Sequence, residues 1–320
     1  MEITKGYDFD DLLLVPKPSF VNSREEVNLS TWIKGLEVGI PIIGSPMKGI
    51  MSKELALELH RNGSIGILHR FYDNINDQLC DINYLYDQYA KFGISVKLNE
   101  FDILRYGLDH GVNIVCVDVA NGYLESVLNY VSFIRDIITK LNYSTLIMAG
   151  NVVTLKGANN LWNAGADLVR VGIGSGGLCT TRNITGVGYP QLSALFEVSG
   201  YEGIVSDGGI RNSGDIVKAL AAGADFVMIG SLLGKAKESA NNGIIYGMAS
   251  RKLQEEYYQA VKSVEGIEKS LEKTTTVKEL IDELSYGIRS ACTYLNCSEV
   301  SKLHQSVSWV ETGRGTLKEL

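Results

Sequence analysis

The feature that most limits what this chain can fold into is a series of eight short apolar runs, most of them closing on Gly, Ser or Asp: residues 40–45, 64–68, 93–96, 113–118, 145–150, 168–172, 203–207 and 225–230. Each has the length of a strand, and their unbroken apolar character suits a parallel sheet buried on both faces. The stretches between them carry helical spacing. Residues 53–62 put Leu55 and Leu59 on one face, and residues 212–223 do the same with Ile216, Val217 and Leu220 before a stop at Gly223. Asn163-Ala164-Gly165-Ala166-Asp167 and Ala221-Ala222-Gly223-Ala224-Asp225 are near copies, each where a helix ends and a strand begins. Eight βα units in a row, with no second pattern between them, predict an α/β fold closed into a (β/α)8 TIM barrel rather than an open sheet. Residues 1–39 read as an N-terminal arm. Residues 250–320 read as an irregular flap, a helix near 276–284 and a polar tail, all within one domain spanning 1–320.

Charge and cysteine usage narrow the class of partner. A net charge of −7 gives no electrostatic case for nucleic acid or a membrane surface, although local groups can still hold a small phosphorylated ligand. The acidic N-terminus lacks a signal-peptide stretch, and no run approaches the length of a membrane span. The five cysteines are odd in number and scattered, which fits reduced thiols and a cytoplasmic location. Cys292 and Cys297 are close in sequence, but no second Cys/His pair accompanies them to make a zinc site.

In such a barrel the chemistry sits at the C-terminal ends of the strands, with phosphate held near the last two loops. Those loops are glycine-rich here: Asp207-Gly208-Gly209-Ile210 after the seventh strand and Gly230-Ser231 after the eighth. The loop after the sixth strand is more unusual. Cys179 follows Gly172-Ile173-Gly174-Ser175-Gly176-Gly177-Leu178 and precedes Thr180, Thr181 and Arg182, a mouth position suited to a nucleophile. Cys116, inside an apolar strand, reads as core. Asp118 and Asn151 close the fourth and fifth strands. His69 and Arg70 follow the second and are expected at the mouth, whereas His60 reads as a helix surface residue.

The segment 172–195 resembles the catalytic-cysteine loop of the IMP dehydrogenase/GMP reductase family, and the resemblance runs through nearly the whole chain. Tyr7 to Pro16, Ser45-Pro46-Met47, Asp118 to Gly122, Ala149-Gly150-Asn151, Asp207 to Arg211 and Gly247-Met248-Ala249-Ser250 match family segments in order. The resemblance implies a barrel enzyme, usually a homotetramer, that binds a purine nucleoside monophosphate and NADPH, with NADH or NAD as alternatives. Cys179 would attack C2 of the purine. Ser45, Met47, Gly177, Asp207, Gly208, Gly209, Gly230, Ser231, Met248, Ala249, Ser250 and Lys262 would line the nucleotide site. Arg70, Asp118, Val119, Ala120, Ile173 and Gly174 match cofactor contacts, as do Ser290, Ala291, Cys292 and Thr293, the last four serving a neighbouring subunit. Carbonyls of Gly174, Gly176, Cys179 and Arg182 match a monovalent cation site, potassium by expectation.

Two reactions divide this family. The dehydrogenase branch carries an Arg-Tyr pair on a mobile flap; the segment between Ser250 and Glu265 is short and has no such step. Residues 187–194, 118–123 and 289–294 look like the reductase branch, and Glu265 matches the glutamate that works there with the threonine two residues after the cysteine, here Thr181. Residues 63–70 and 207–215 look more like the dehydrogenase. Ser175 replaces the usual proline and Gly177 a phosphate-touching serine, which should loosen the loop and remove a donor. Lys262 stands where reductases often have arginine. The stretch between the second and third strands is too short for the regulatory domain many dehydrogenases insert there. The balance favours the reductase branch over the dehydrogenase. A nucleotide-binding regulator without turnover is disfavoured by the joint presence of Cys179, Thr181 and Glu265.

Overall fold

A computed structural model describes residues 3–258 and 260–313; Met1 and Glu2 of the arm, Gln259 of the flap and residues 314–320 of the tail lie outside the described residues. The barrel strands are numbered after three that precede them: β1 (Leu12–Leu14), β2 (Thr31–Ile33) and β3 (Leu36–Val38). Eight parallel strands then close on themselves: β4 (Ile42–Gly44), β5 (Ile65–Leu68), β6 (Phe92–Val96), β7 (Ile114–Asp118), β8 (Leu146–Val152), β9 (Leu168–Val171), β10 (Ile204–Asp207) and β11 (Phe226–Ile229), with β11 pairing back to β4. All eight fall on the apolar runs read from sequence. The helices α1 (Lys53–Arg61), α2 (Ile75–Asp87), α3 (Phe101–Asp109), α4 (Glu125–Leu141) and α5 (Leu155–Asn163) connect β4 to β9 in turn. The short α6 (Thr181–Thr185) precedes α7 (Gln191–Val198), and α8 (Ser213–Ala221) follows β10. The strands β5 and β6 are joined by α2 alone.

The period-2 alternation of a strand decides what faces inward. On β7, Val115 and Val117 pack outward with the helices while Ile114 and Cys116 enter the interior cluster with Ile67, Met148, Val205 and Met228. The last residue in the inward register is therefore Asp118. The same count gives Leu168 then Arg170 on β9, and Val205 then Asp207 on β10. The other end of the barrel is plugged by the β2–β3 hairpin, whose Ile33, Leu36 and Val38 join that interior cluster. Its two-residue turn puts Lys34 and Gly35 at positive φ (44° and 90°), the geometry that matches strand twist. Burying each such aliphatic side chain stabilises by roughly 1.5–3 kcal/mol.

The helix expected near 276–284 runs much further. After a short strand β12 (Ile244–Tyr246), the turn α9 (Arg251–Leu253) and a strand β13 (Glu268–Ser270), the helix α10 spans Val277–Tyr294. Thr276 and Glu279 form a capping box at its start. Past Leu284 its buried face continues through Ile288 and Cys292, so it forms the eighth outer helix rather than a short excursion. At Gly287 a Cβ would lie 2.1 Å from Ser213 Oγ, so α10 meets α8 at a contact only glycine permits. Asn296, at φ 49°, ends the helix, and Cys297 N–H donates to Cys292 C=O at 3.0 Å. The strand β14 (Trp309–Glu311) then pairs antiparallel with β1.

Candidate active site

At the C-terminal mouth the strands open into a cavity of about 1480 Å³. Pockets for one small ligand run to about 1,000 Å³, so there is room for a mononucleotide and part of a second ligand. The cysteine loop forms one wall. Gly172 and Gly174 have positive φ (146° and 77°), which swings the chain over the mouth before Cys179. That loop is zipped to the segment after α9: Thr180 N–H donates to Glu265 C=O at 2.9 Å, and Ile267 N–H to Leu178 C=O at 3.0 Å. Main-chain pairing thus sets the distance between Cys179 and Glu265. Across it the Cys179 thiol donates to Thr181 Oγ1 (3.2 Å), and that hydroxyl donates to Glu265 Oε2 (2.8 Å).

The opposite wall is built from β10, β11 and the N-terminal arm. Gly208 and Gly209 both have positive φ (100° and 81°), leaving no side chain over the turn. Phe9 closes in behind, 3.2 Å from where a Gly209 Cβ would stand. The arm is held there by polar ties: Asp8 accepts from Gln191 N–H and Arg182, Asp10 from Arg211, and Lys218 Nζ donates to Phe9 C=O.

The floor is a run of alternating charges. Arg170 Nη1 donates to Asp118 Oδ1 at 2.8 Å, and its Nε and Nη2 donate to Asp207 Oδ2 at 3.1 and 2.8 Å. Asn151 Nδ2 donates to the same oxygen at 2.8 Å. Arg70 Nε lies 3.5 Å from Asp118 Oδ2. Burial opposes the charge on Arg170, yet Asp207 and Asp118 hold its pKa well above the ordinary value. Arg70 is raised in the same way, against burial, by Asp118 and by the Tyr258 hydroxyl.

With this geometry in view, the family profile described as "IMP dehydrogenase / GMP reductase domain" matches residues 6–320. The chain is 36% identical to a GMP reductase of Onchocerca volvulus over 97% of this chain and 92% of that one. It is 35% identical to GMP reductase 2 of Homo sapiens, covering 95% and 93%, and 33% identical to a GMP reductase of Shewanella halifaxensis, covering 94% and 93%. The chain belongs to the IMP dehydrogenase / GMP reductase family.

Most residues that the family resemblance singles out do meet at one cavity. Its lining includes Cys179, Thr181 and Glu265; Ser45, Met47, Gly177, Asp207, Gly208, Gly209, Gly230, Ser231, Met248, Ala249 and Lys262; and Arg70, Asp118, Val119, Ala120, Ile173 and Gly174. Others fall elsewhere. Ser250 is fully buried and its hydroxyl caps α9, accepting from Leu253 N–H, so its side chain is not offered to a ligand. Ser290, Ala291, Cys292 and Thr293 lie on α10 in the outer ring, away from this chain's own cavity. Cys292 is wholly buried, so its side chain is not offered to this chain's cavity. His69, expected at the mouth, stacks on Tyr72 and accepts from Phe71 N–H, and burial pushes its pKa down to about 4; it stays neutral beneath the site.

Two departures in the family's cysteine loop have visible consequences. Ser175, expected to loosen the loop, donates from Oγ to Asp207 C=O at 3.2 Å and ties the loop to β10. At Gly177 a Cβ would meet nothing nearer than Ser231 Oγ at 4.0 Å, so the missing serine leaves open space. Sequence reading missed Arg170, whose signal was a lone charge inside an apolar strand. It also missed Gln254, which bridges Ala249 C=O, Ser263 C=O and Lys262 N–H and so shapes the flap.

The residues fit the family's second ligand and fit its cation only in part. Arg70 Nε–H is buried at the cavity with no hydrogen-bond partner among the described residues, a donor suited to an anionic cofactor. Among the described residues no group of three or more His, Cys, Asp or Glu gathers as a metal cage. A cation would depend on main-chain oxygens, and those of Gly176 and Arg182 already accept from Cys179 and Gly186 N–H groups, which leaves each one lone pair. No helix among the described residues is long and apolar enough to cross a membrane.

Proposed function

We propose that this protein is a GMP reductase, converting GMP to IMP and ammonia with oxidation of NADPH. The single observation that carries the reading is the hydrogen-bonded line from Cys179 Sγ through Thr181 Oγ1 to Glu265 Oε2. Along it the thiol proton can pass to the hydroxyl as the hydroxyl proton passes to the carboxylate. That one transfer makes a thiolate and loads a carboxylic acid. The thiolate adds to C2 of GMP, and the 2-amino group, protonated from Glu265 through Thr181, leaves as ammonia. The C2–S bond so formed holds the base as a thioimidate. Hydride addition at C2 then expels the thiolate and yields IMP. The nicotinamide, when bound, supplies that hydride.

Asp207 accepts the ribose hydroxyls, while Gly208, Gly209, Gly230 and Ser231 surround the phosphate with backbone N–H groups and one hydroxyl. Ser45, Met47, Gly177, Met248, Ala249 and Lys262 complete the nucleotide pocket. Arg70, Asp118, Val119, Ala120, Ile173 and Gly174 flank the cofactor. Ser290, Ala291 and Thr293, which lie outside this chain's cavity, serve a cofactor held by a neighbouring subunit, and the homotetramer is the assembly that the family resemblance implies. We read NADPH as the reductant, potassium as the cation on the carbonyls of Gly174, Gly176, Cys179 and Arg182, and the cytoplasm as the location. Barrel, arm and flap act as one catalytic domain without a regulatory insert, a reading supported by the single helix between β5 and β6. Purified protein is mixed with GMP plus NADPH and, separately, with IMP plus NAD, and the reduced cofactor is followed by absorbance. Consumption in the first mixture alone is expected; production in the second alone overturns the reductase in favour of the dehydrogenase.

A further inference from the structure

We infer that Arg170 is a positioning residue that couples the nucleotide and cofactor halves of the site through one shared guanidinium. This rests on the proposed function, which gives Asp207 to the nucleotide and Asp118 to the cofactor. The two carboxylates stand on β10 and β7, separated by two intervening strands. Arg170 spans them from β9. Its Nε and Nη2 both serve Asp207 Oδ2, and Nη1 serves Asp118 Oδ1. Only a planar fork with donors on three nitrogens can do this; a lysine ammonium is a point charge that must choose.

The wiring leaves a free position at each end. Asp207 Oδ2 takes Arg170 twice and Asn151 once, and Oδ1 takes none of these bonds. At the other end Arg70 Nε is 3.5 Å from Asp118 Oδ2 and has no hydrogen-bond partner among the described residues. A group that engages Arg70 or Asp118 changes how much of the Arg170 charge is left for Asp207, and the reverse holds by linkage. Gly150 leaves room for the base of this side chain, since a Cβ there would stand 2.7 Å from Arg170 Cβ. The guanidinium serves both partners at once, so its charge is shared between them.

The test is a binding cycle that needs no turnover. Calorimetry measures GMP affinity, without cofactor, for the wild type, Asp118→Asn, Arg170→Lys and the double variant; thermal melting checks that each is folded. With Asp118 neutralised, Arg170 leans wholly on Asp207 and draws negative charge from the carboxylate that accepts the ribose. Asp118→Asn is expected to weaken GMP by about fivefold or more, a coupling of the size seen between residues of one ion-pair network. In the Arg170→Lys background the same change should have no further effect, because the bridge is already cut. Arg170→Lys itself should weaken both GMP and NADPH, whereas a merely structural role would lower stability without making the two affinities interdependent. Unchanged GMP affinity in Asp118→Asn, or an equal loss in both backgrounds, overturns the inference while leaving the reductase reading intact. A wild type that binds no purine monophosphate overturns both.

Discussion

Two thiols within the same barrel, Cys116 at mid-strand and Cys179 at the mouth, show how position decides chemistry. Cys116 faces the interior from β7, is wholly buried, and its pKa is pushed up to about 12 by burial despite the Arg170 guanidinium 3.5 Å away. Cys179 is half-buried on a glycine-built loop and hydrogen-bonded to a hydroxyl that is itself bonded to a carboxylate. A nearby cation is thus not sufficient to make a nucleophile. An open face and a proton acceptor within reach are what separate the two.

The largest test of that contrast is deletion of each sulfur. Cys179→Ala should lower kcat by at least ~10⁴-fold with GMP binding kept, while Cys116→Ala should leave turnover within about threefold and cost roughly 1–2 kcal/mol of stability. Equal losses of turnover would erase the contrast. Next comes alkylation at neutral pH: Cys179, half-buried at the open mouth, should react much faster than the wholly buried Cys116, and bound GMP should protect it. Mass-mapped iodoacetamide kinetics read this out. Thr181→Val keeps the shape and removes the relay, so a fall in kcat of about 10²–10³-fold with little change in GMP affinity is expected from stopped-flow or steady-state assays. The smallest effect is a gain. Gly177→Ser places a hydroxyl beside Ser231 in open space, and the KM for GMP should drop about fivefold, the worth of one hydrogen bond near 1 kcal/mol.

The same division between local and long-range signals explains what the sequence disclosed. The barrel strands were legible because each is a local run whose apolar character is forced by burial on both faces; β7 and β10 begin within a residue of their apolar runs and end with them. Cys179 stood out because a thiol in a glycine tract is a local anomaly. Arg170 was not legible in its role, since its partners lie on β7 and β10 and only closure of the barrel brings them together. The β2–β3 plug lay hidden in what reads as an N-terminal arm, because only the closed barrel gives it something to fill. Helix α10 runs past the 276–284 expected and through Gly287, which marks the contact with α8. Ser290, Ala291, Cys292 and Thr293 lie on α10, outside the lining of the mouth.

The pairing of β1 with β14 has a bearing on what holds the rim of the site in place. Leu12–Leu14 and Trp309–Glu311 form one small ribbon, and the adjoining Asp8, Phe9 and Asp10 wall the cavity. Closing a loop of that span is entropically costly, since its ends lie about 300 residues apart in sequence. The rim of the cavity is therefore tied to a strand from the far side of the described residues, so a chain cut before Trp309 keeps its thiol but loses one of the ties that hold the rim against a nucleotide.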